Sequence, residues 1–181
     1  MTRYGLLLAM ALVSPGCLVS SLQPIYVDDA IVFDESLLGR WENRETEISV
    51  ELTRAQWRSY HVAYTDRFGT TRFTGHVTRI GAARFLNLRP EDGLERPAFL
   101  VATNGFLQIE TTTSGVRVRE PDYAALLERV QAGSAGTPAA TDLKKNIVLT
   151  APSARLRSWL EASLKDEMFW AEWKTFTRSA R

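Results

Sequence analysis

Hydrophobic positions recur with a period of two over much of the chain between residues 38 and 120. Ile48, Val50 and Leu52 alternate with Ser49 and Glu51, which is the pattern of a strand with one buried face. Similar short runs follow up to residue 120 and are separated by turn signals that contain glycine. About eight strands at this spacing predict a mainly β (α+β) fold, in which an antiparallel up-and-down meander curls into a partial barrel.

Aromatic side chains concentrate on one face of two predicted strands. Tyr60 and Tyr64 share a face with Val62, and Phe73 shares a face with Val77 on the next strand. Such side chains either line an apolar cavity that binds a small molecule or simply fill a core. Both interpretations stay open at this point.

A hairpin signal stands late in the meander. Asn104-Gly105 is the dipeptide that a two-residue turn between antiparallel strands favours. The sequence therefore predicts a tight hairpin at this position.

The period changes to a helical one at Pro121. Apolar spacing predicts helices over residues 121–131 and 152–164, with one more strand over 146–150. A third helix is possible over residues 166–176, because Phe169, Trp173 and Phe176 would share one of its faces. These aromatic residues would cover an open side of the sheet or, alternatively, contact a lipid interface.

The first sixteen residues have the composition of an export signal. Arg3 supplies a positive charge, residues 6–13 are uninterruptedly apolar, and small or turn-forming residues precede Cys17. The apolar run is too short to span a bilayer. Residues 1–16 are therefore predicted to be a signal peptide, and residues 17–36 a tether whose second half docks on a single domain formed by residues 37–181.

Gly16-Cys17 resembles the cleavage site of bacterial lipoproteins. The resemblance implies cleavage between these two residues and lipidation of Cys17, including a palmitate chain; Ser14 departs from the aliphatic residue that the family prefers there. Leu18 in place of Asp implies the periplasmic face of the outer membrane. Several acyl chains anchor a protein stably without a transmembrane helix. An unmodified thiol in an ordinary signal or a buried N-terminal helix are the alternatives.

Two further stretches resemble known groups. Residues 21–26, followed by Phe33-Asp34, are similar to the start of a group of uncharacterised bacterial lipoproteins. Gly39-x-Trp41 resembles the lipocalin signature on the first barrel strand, which implies that Trp41 closes the bottom of an antiparallel barrel. Together with the aromatic strand faces, this resemblance makes Trp41, Tyr60, Tyr64 and Phe73 the candidate lining residues if the barrel binds a lipophilic ligand.

Charge and cysteine content narrow the classes of partner. The chain has 22 Lys and Arg against 21 Asp and Glu, so there is no polyanion-binding signal and no nucleic-acid partner is expected. Cys17 is the only cysteine, which excludes an intramolecular disulfide. The expected partners are the membrane, an envelope protein and a lipophilic small molecule.

No set of residues in the sequence points to catalysis. His61 and His76 lie on neighbouring predicted strands without a second cysteine or a compact carboxylate cluster, so they are interpreted as ordinary strand residues rather than as a metal or acid-base pair. We expect no enzyme activity, metal or cofactor. The predicted role is that of a membrane-anchored envelope lipoprotein that is structural or binds a partner, with carriage of a small lipophilic ligand as the alternative.

Overall fold

The computed structural model describes residues 19–91 and 101–179. Within them, short 3-10 turns precede β2, precede β3 and follow α2. The strands and helices are β1 Val19–Ser21, β2 Ile31–Val32, β3 Gly39–Asn43, β4 Ile48–Arg54, β5 Tyr60–Asp66, β6 Gly69–Ile80, β7 Ala83–Pro90, β8 Gly105–Thr112, β9 Gly115–Arg119, α1 Tyr123–Gln131, β10 Ala139–Thr141, β11 Ile147–Leu149, α2 Ser153–Ser163 and β12 Lys174–Arg178.

Eight strands form a closed antiparallel barrel. The order around the ring is β3-β4-β5-β6-β7-β8-β9-β12, and β12 pairs with β3 to complete it. The prediction of a mainly β meander is confirmed, whereas the prediction that it would remain a partial barrel is wrong. A barrel of eight strands has an interior just wide enough for side chains to fill.

The closing strand comes from the segment for which a third helix was considered. Residues 166–176 contain a 3-10 turn at Glu167–Phe169 and the start of β12 instead of a helix. Phe176 lies opposite Val116 of β9 and is buried, while its neighbours Thr175 and Thr177 are exposed. The segment is a strand because its backbone pairs with β3 on one side and β9 on the other, where both strands would otherwise have unpaired edges. Its side chains therefore alternate between the inner and outer faces of the barrel.

The predicted tight hairpin at Asn104-Gly105 is also wrong. β7 ends at Pro90 and β8 begins at Gly105, so the connection is long. Asn104 is instead held by Ser21, with backbone hydrogen bonds of 2.9 and 2.8 Å in the two directions. Pairing with the N-terminal segment therefore overrides the local turn preference.

The two predicted helices are present as α1 and α2, with slightly later starts. Asp122 caps α1 by accepting a hydrogen bond of 2.8 Å from the backbone N–H of Ala125. Pro121 pairs with Trp170 before the helix instead of occupying its first turn. The predicted strand over 146–150 is β11, which lies outside the barrel in a three-stranded sheet with β1 and β10.

The described residues pack into two hydrophobic cores that share the barrel wall. The barrel core lies inside the ring and includes Trp41, Val62 and Phe176. The lateral core lies against the outer face of β7 and β8, under the helices and the small sheet. Its members include Phe85, Phe106, Leu126, Leu156, Trp159, Phe169 and Trp170.

The barrel has two different ends. We call the end with the β4–β5, β6–β7 and β8–β9 turns the closed end, because the 3-10 turn Glu35–Leu37 lies against it and Leu37 is buried in the barrel core. The other end, with the β3–β4, β5–β6 and β7–β8 connections, is the open end. No helix among the described residues is long and apolar enough to cross a membrane.

Candidate functional site

Trp41 lies at the closed end of the barrel interior. Its indole Nε1–H donates a hydrogen bond of 2.9 Å to the carbonyl of Leu37. The guanidinium of Arg178 lies 4.5 Å from the centre of the indole ring and donates bonds of 2.9 Å each to the carbonyls of Leu38 and Ser36. Trp41 is therefore held at this end through its indole N–H and one face of its ring, and only 7% of it is exposed.

Tyr60, the second predicted lining residue, is fully buried beside the same end. Its hydroxyl accepts a hydrogen bond of 2.6 Å from the backbone N–H of Asp34 and donates one of 3.1 Å to the carbonyl of Asp34. The ring of Phe33 stacks on it at 4.8 Å. Burial raises the pKa of the Tyr60 hydroxyl. Tyr60 therefore fastens the N-terminal segment to the barrel.

An ion pair completes the closed end. Arg84 donates to the carboxylate of Asp34 at 2.6 Å, and both side chains are mostly shielded from solvent. Burial would raise the pKa of Asp34, but hydrogen bonds from Ser36 and Arg84 outweigh it and hold the pKa below its ordinary value.

Tyr64 and Phe73 lie towards the open end and are only half-buried. The strand register turns both side chains to the inside, since Tyr64 is opposite Val50 and Phe73 is opposite Val62. Burial raises the pKa of the Tyr64 hydroxyl, and the nearby carboxylates of Asp66 and Glu120 raise it further. The apolar side chains that accompany them here, also partly buried, are Ile48, Val50, Leu88, Leu107 and Val118.

The four predicted lining residues thus divide into two pairs. Trp41 and Tyr60 are packed into the closed end, whereas Tyr64 and Phe73 keep partial access to solvent at the open end. An apolar ligand could reach only the second pair without breaking the contacts of the first.

Two concavities formed by the described residues lie at the surface, and neither is an enclosed apolar chamber. The larger, about 810 Å³, lies beside the β3–β4 turn and is bordered by Glu45, Glu172 and Lys174. The smaller, about 300 Å³, lies between Ala82, Glu110 and Leu164. Both are open to solvent and bordered by charged side chains, unlike sites that enclose lipophilic molecules.

The two histidines lie on the outer face of the barrel and serve different contacts. His61 is exposed, and its Nδ1 is 2.7 Å from the carboxylate of Glu91. The ring of His76 packs at 4.5 Å from that of Tyr26, and its buried Nδ1 has no hydrogen-bond partner among the described residues. Burial lowers the pKa of His76, and the negative charge of Asp28 raises it by a smaller amount.

The histidine contacts do not assemble into a metal centre. Within residues 19–91 and 101–179, no group of three or more His, Cys, Asp or Glu side chains could hold a metal ion. The absence of enzyme activity stays a prediction.

Gly16 and Cys17, the predicted cleavage and lipidation site, lie outside the described residues, as does the whole signal segment. Val19 is already paired with Ile147 in the small sheet. The N-terminal segment that follows is packed on the domain, since Ile25 and Ile31 are 0% and 3% exposed. Contacts with the domain therefore begin at Val19, earlier than the second half of residues 17–36 for which docking was predicted.

Two residues that hold the site together, Arg178 and Asp34, were not predicted from the sequence. Arg178 binds Leu38, which is 140 residues away in the chain, and Asp34 binds Arg84, which is 50 residues away. Partners this distant leave no local motif around either residue. A signal for Arg178 existed in the alternation Lys174, Phe176, Arg178, which places all three on one face of a strand.

The chain matches no family model, no curated protein and no solved structure.

Proposed function

We propose that the protein is a lipid-anchored bacterial envelope protein whose barrel has a non-catalytic role, either structural or in binding an envelope partner. The sequence of residues 1–17 supports the anchor, and Leu18 supports its place on the periplasmic face of the outer membrane. The interior of the barrel supports the role, because its side chains pack together at the closed end.

The observation that carries this proposal is the packing of Trp41 and Tyr60. Both were candidates for lining a cavity, and both are instead held by hydrogen bonds and stacked groups at the closed end. Side chains fixed in this way make the barrel a rigid body. A rigid body attached close to a membrane suits a protein that presents its outer surface to a partner.

The anchor is tested by replacing the lipidated residue. Cys17→Ser should move the protein from the membrane fraction to the soluble fraction, because the thioether to the lipid cannot form. Leu22→Ser, a change to the same residue type at a partly exposed position, should leave the protein on membranes. Mass spectrometry of the mature N-terminus should show an acylated Cys17; an unacylated N-terminus that begins at Met1 would contradict the proposal.

A second candidate function is the binding of a small lipophilic ligand at the open end. Tyr64, Phe73, Leu88 and Leu107 favour this function. Their side chains face the barrel interior and are only half-buried, so a ligand could contact them from the open end. The closed barrel is compatible with such a binder.

Titration of the full chain with a fluorescent fatty acid tests this second candidate. Phe73→Lys should abolish saturable binding because it puts a charge inside the open end. Phe68→Lys, at a position of the adjacent turn that is 77% exposed, should leave binding unchanged. Absence of saturable binding to the unmodified protein would exclude this candidate for that ligand class.

A further inference from the structure

We propose that the open end of the barrel faces and touches the bilayer to which the protein is anchored. This inference rests on the proposed lipid anchor at Cys17. It adds the orientation of the domain and identifies the surface that contacts lipid.

The first step is the distance between the anchor and the open end. Ser21 is hydrogen-bonded to Asn104, and Asn104 directly precedes β8 in the β7–β8 connection of the open end. Cys17 is four residues before Ser21, so covalent geometry limits the separation of their Cα atoms to about 14 Å. The lipid attachment point therefore cannot lie far from the rim of the open end.

The second step is the direction in which the N-terminal segment leaves the anchor. From Asn104 it passes Asn87, whose side-chain oxygen accepts from the N–H of Ile25, and then Thr78, whose hydroxyl donates to the carbonyl of Ala30. It ends at the closed end with the Asp34–Arg84 ion pair. The segment thus runs along the barrel away from the anchor, which places the closed end farther from the bilayer.

The third step is the set of apolar side chains exposed on this side. Phe68 in the β5–β6 turn is 77% exposed, and Val101 in the β7–β8 connection is 73% exposed. Leu143, in the turn between β10 and β11, is fully exposed. Because β11 runs parallel to β1, with Ile147 beside Val19, the turn that precedes β11 lies on the same side as the anchor.

Basic residues accompany two of these apolar side chains. Leu143 is followed by the exposed Lys144 and Lys145, and Arg67 lies over the ring of Phe68 at 4.7 Å. Apolar side chains that enter the headgroup region next to Lys or Arg are the combination that binds the surface of an anionic bilayer. Trp57 and Arg58 in the β4–β5 turn of the closed end present the same combination, so the chemistry suits a bilayer at either end. The position of the anchor near the rim of the open end selects that end.

Fluorescent labelling of the lipidated full chain tests the orientation. Single cysteines are introduced as Leu143→Cys and Phe68→Cys, with Ser114→Cys as the control in the exposed β8–β9 turn of the closed end. Each is labelled with an environment-sensitive fluorophore and reconstituted into vesicles that contain phosphatidylglycerol. Acylated Cys17 has no free thiol, so the unmodified protein should not be labelled.

We expect the probes at positions 143 and 68 to shift their emission to the blue and to be quenched by a nitroxide lipid, while the probe at 114 does neither. Equal quenching at the three positions, or stronger quenching at 114, in protein that floats with the vesicles would overturn the orientation alone. Protein that carries a free Cys17 thiol and does not float would overturn the anchor, and the orientation with it.

Discussion

At the scale of single residues, a buried polar pair connects the barrel to the segment around it. Asn87 on the outer face of β7 donates a hydrogen bond of 3.1 Å to the side chain of Asn104 and accepts one of 3.1 Å from the N–H of Ile25. Asn87 is 0% and Asn104 5% exposed. Buried polar groups that are satisfied in this way fix a unique packing, and their removal leaves partners unpaired.

Replacing Asn87 by Ala should lower the free energy of unfolding by about 2–4 kcal/mol, because the N–H of Ile25 and the amide of Asn104 lose a partner in a buried site. Urea unfolding followed by circular dichroism measures this loss. Gln56→Ala, at an exposed position in the β4–β5 turn, serves as the control and should change stability by less than about 0.5 kcal/mol. Equal effects of the two substitutions would contradict the role of the pair.

The ion pair of Asp34 predicts a dependence of stability on pH. Since the folded-state pKa of this carboxyl is lowered, its contribution is complete above the unfolded-state pKa, about 3.9, and is lost as the pH falls through the folded-state pKa. Asp34→Asn should therefore be less stable than the parent at neutral pH and should lose less stability below about pH 4.

Thermal unfolding at a series of pH values measures the effect of Asp34. Asp29→Asn, an exposed acid in the same segment, provides the matched control and should follow the pH profile of the parent. Parallel pH profiles of Asp34→Asn and the parent would show that the ion pair does not contribute.

At the scale of secondary-structure elements, β12 depends on close approach to the β8–β9 turn. A Cβ at Gly115 would lie 2.1 Å from the carbonyl oxygen of Phe176, which is shorter than any real contact. The backbone of β12 can therefore pair with β9 at this point only because residue 115 lacks a side chain.

Gly115→Ala should displace β12 and destabilise the protein by about 2–3 kcal/mol, a typical cost of forcing an extra methyl group into a packed site. Gly105→Ala is the matched control, because a Cβ there would meet its nearest atoms at 3.9 Å, an ordinary contact. Hydrogen exchange of the amides of β12 measures the displacement. Unchanged protection of β12 in Gly115→Ala would refute this role.

The sequence predicted the strands whose partners are their neighbours in the chain. Ile48, Val50 and Leu52 alternate with polar residues because one face of β4 meets the barrel core, and this local pattern was sufficient. Phe169, Trp173 and Phe176 misled the prediction because they belong to different environments: Phe169 enters the lateral core, whereas Phe176 enters the barrel core. The spacing of these three residues fits one face of a helix, so it gave no indication that they enter two different cores.

At the scale of the whole molecule, the lateral core and the barrel core share the strands between them. Arg157 of α2 joins the two layers, since it donates to the carbonyls of Ile25 and Arg79 and to the hydroxyl of Thr78. The helices and the small sheet thus cover the outer face of the barrel as part of one packed body.

Leu156→Ala in the lateral core should lower the stability of the barrel as well, by about 2–5 kcal/mol, because a cavity opens under α2. Helical and sheet signals in circular dichroism should shift to lower urea together. Arg155→Ala, at the exposed neighbouring position of α2, should leave the midpoint nearly unchanged. Loss of the helical signal while the sheet signal keeps its midpoint would show that the layers unfold independently.

The candidate site could be predicted only in part from the sequence, because some of its contacts join segments that are distant in the chain. Tyr64 and Phe73 were assigned to the inner face from their alternation, and the register of β5 and β6 places them there. The sealing of Trp41 and Tyr60 depends on Arg178 and Asp34, whose approach results from the closure of the ring and the path of the N-terminal segment. Contacts between residues that are distant in the chain depend on the path of the backbone, so they cannot be predicted from a short stretch of sequence.

The position of β12 between β3 and β9 also determines when the barrel can close, because β12 is the last strand of the ring along the chain. Until β12 docks, β3 and β9 have unpaired edges that can pair with other chains. Loss of the last ten residues of the described chain would therefore leave two open edges and favour association between molecules.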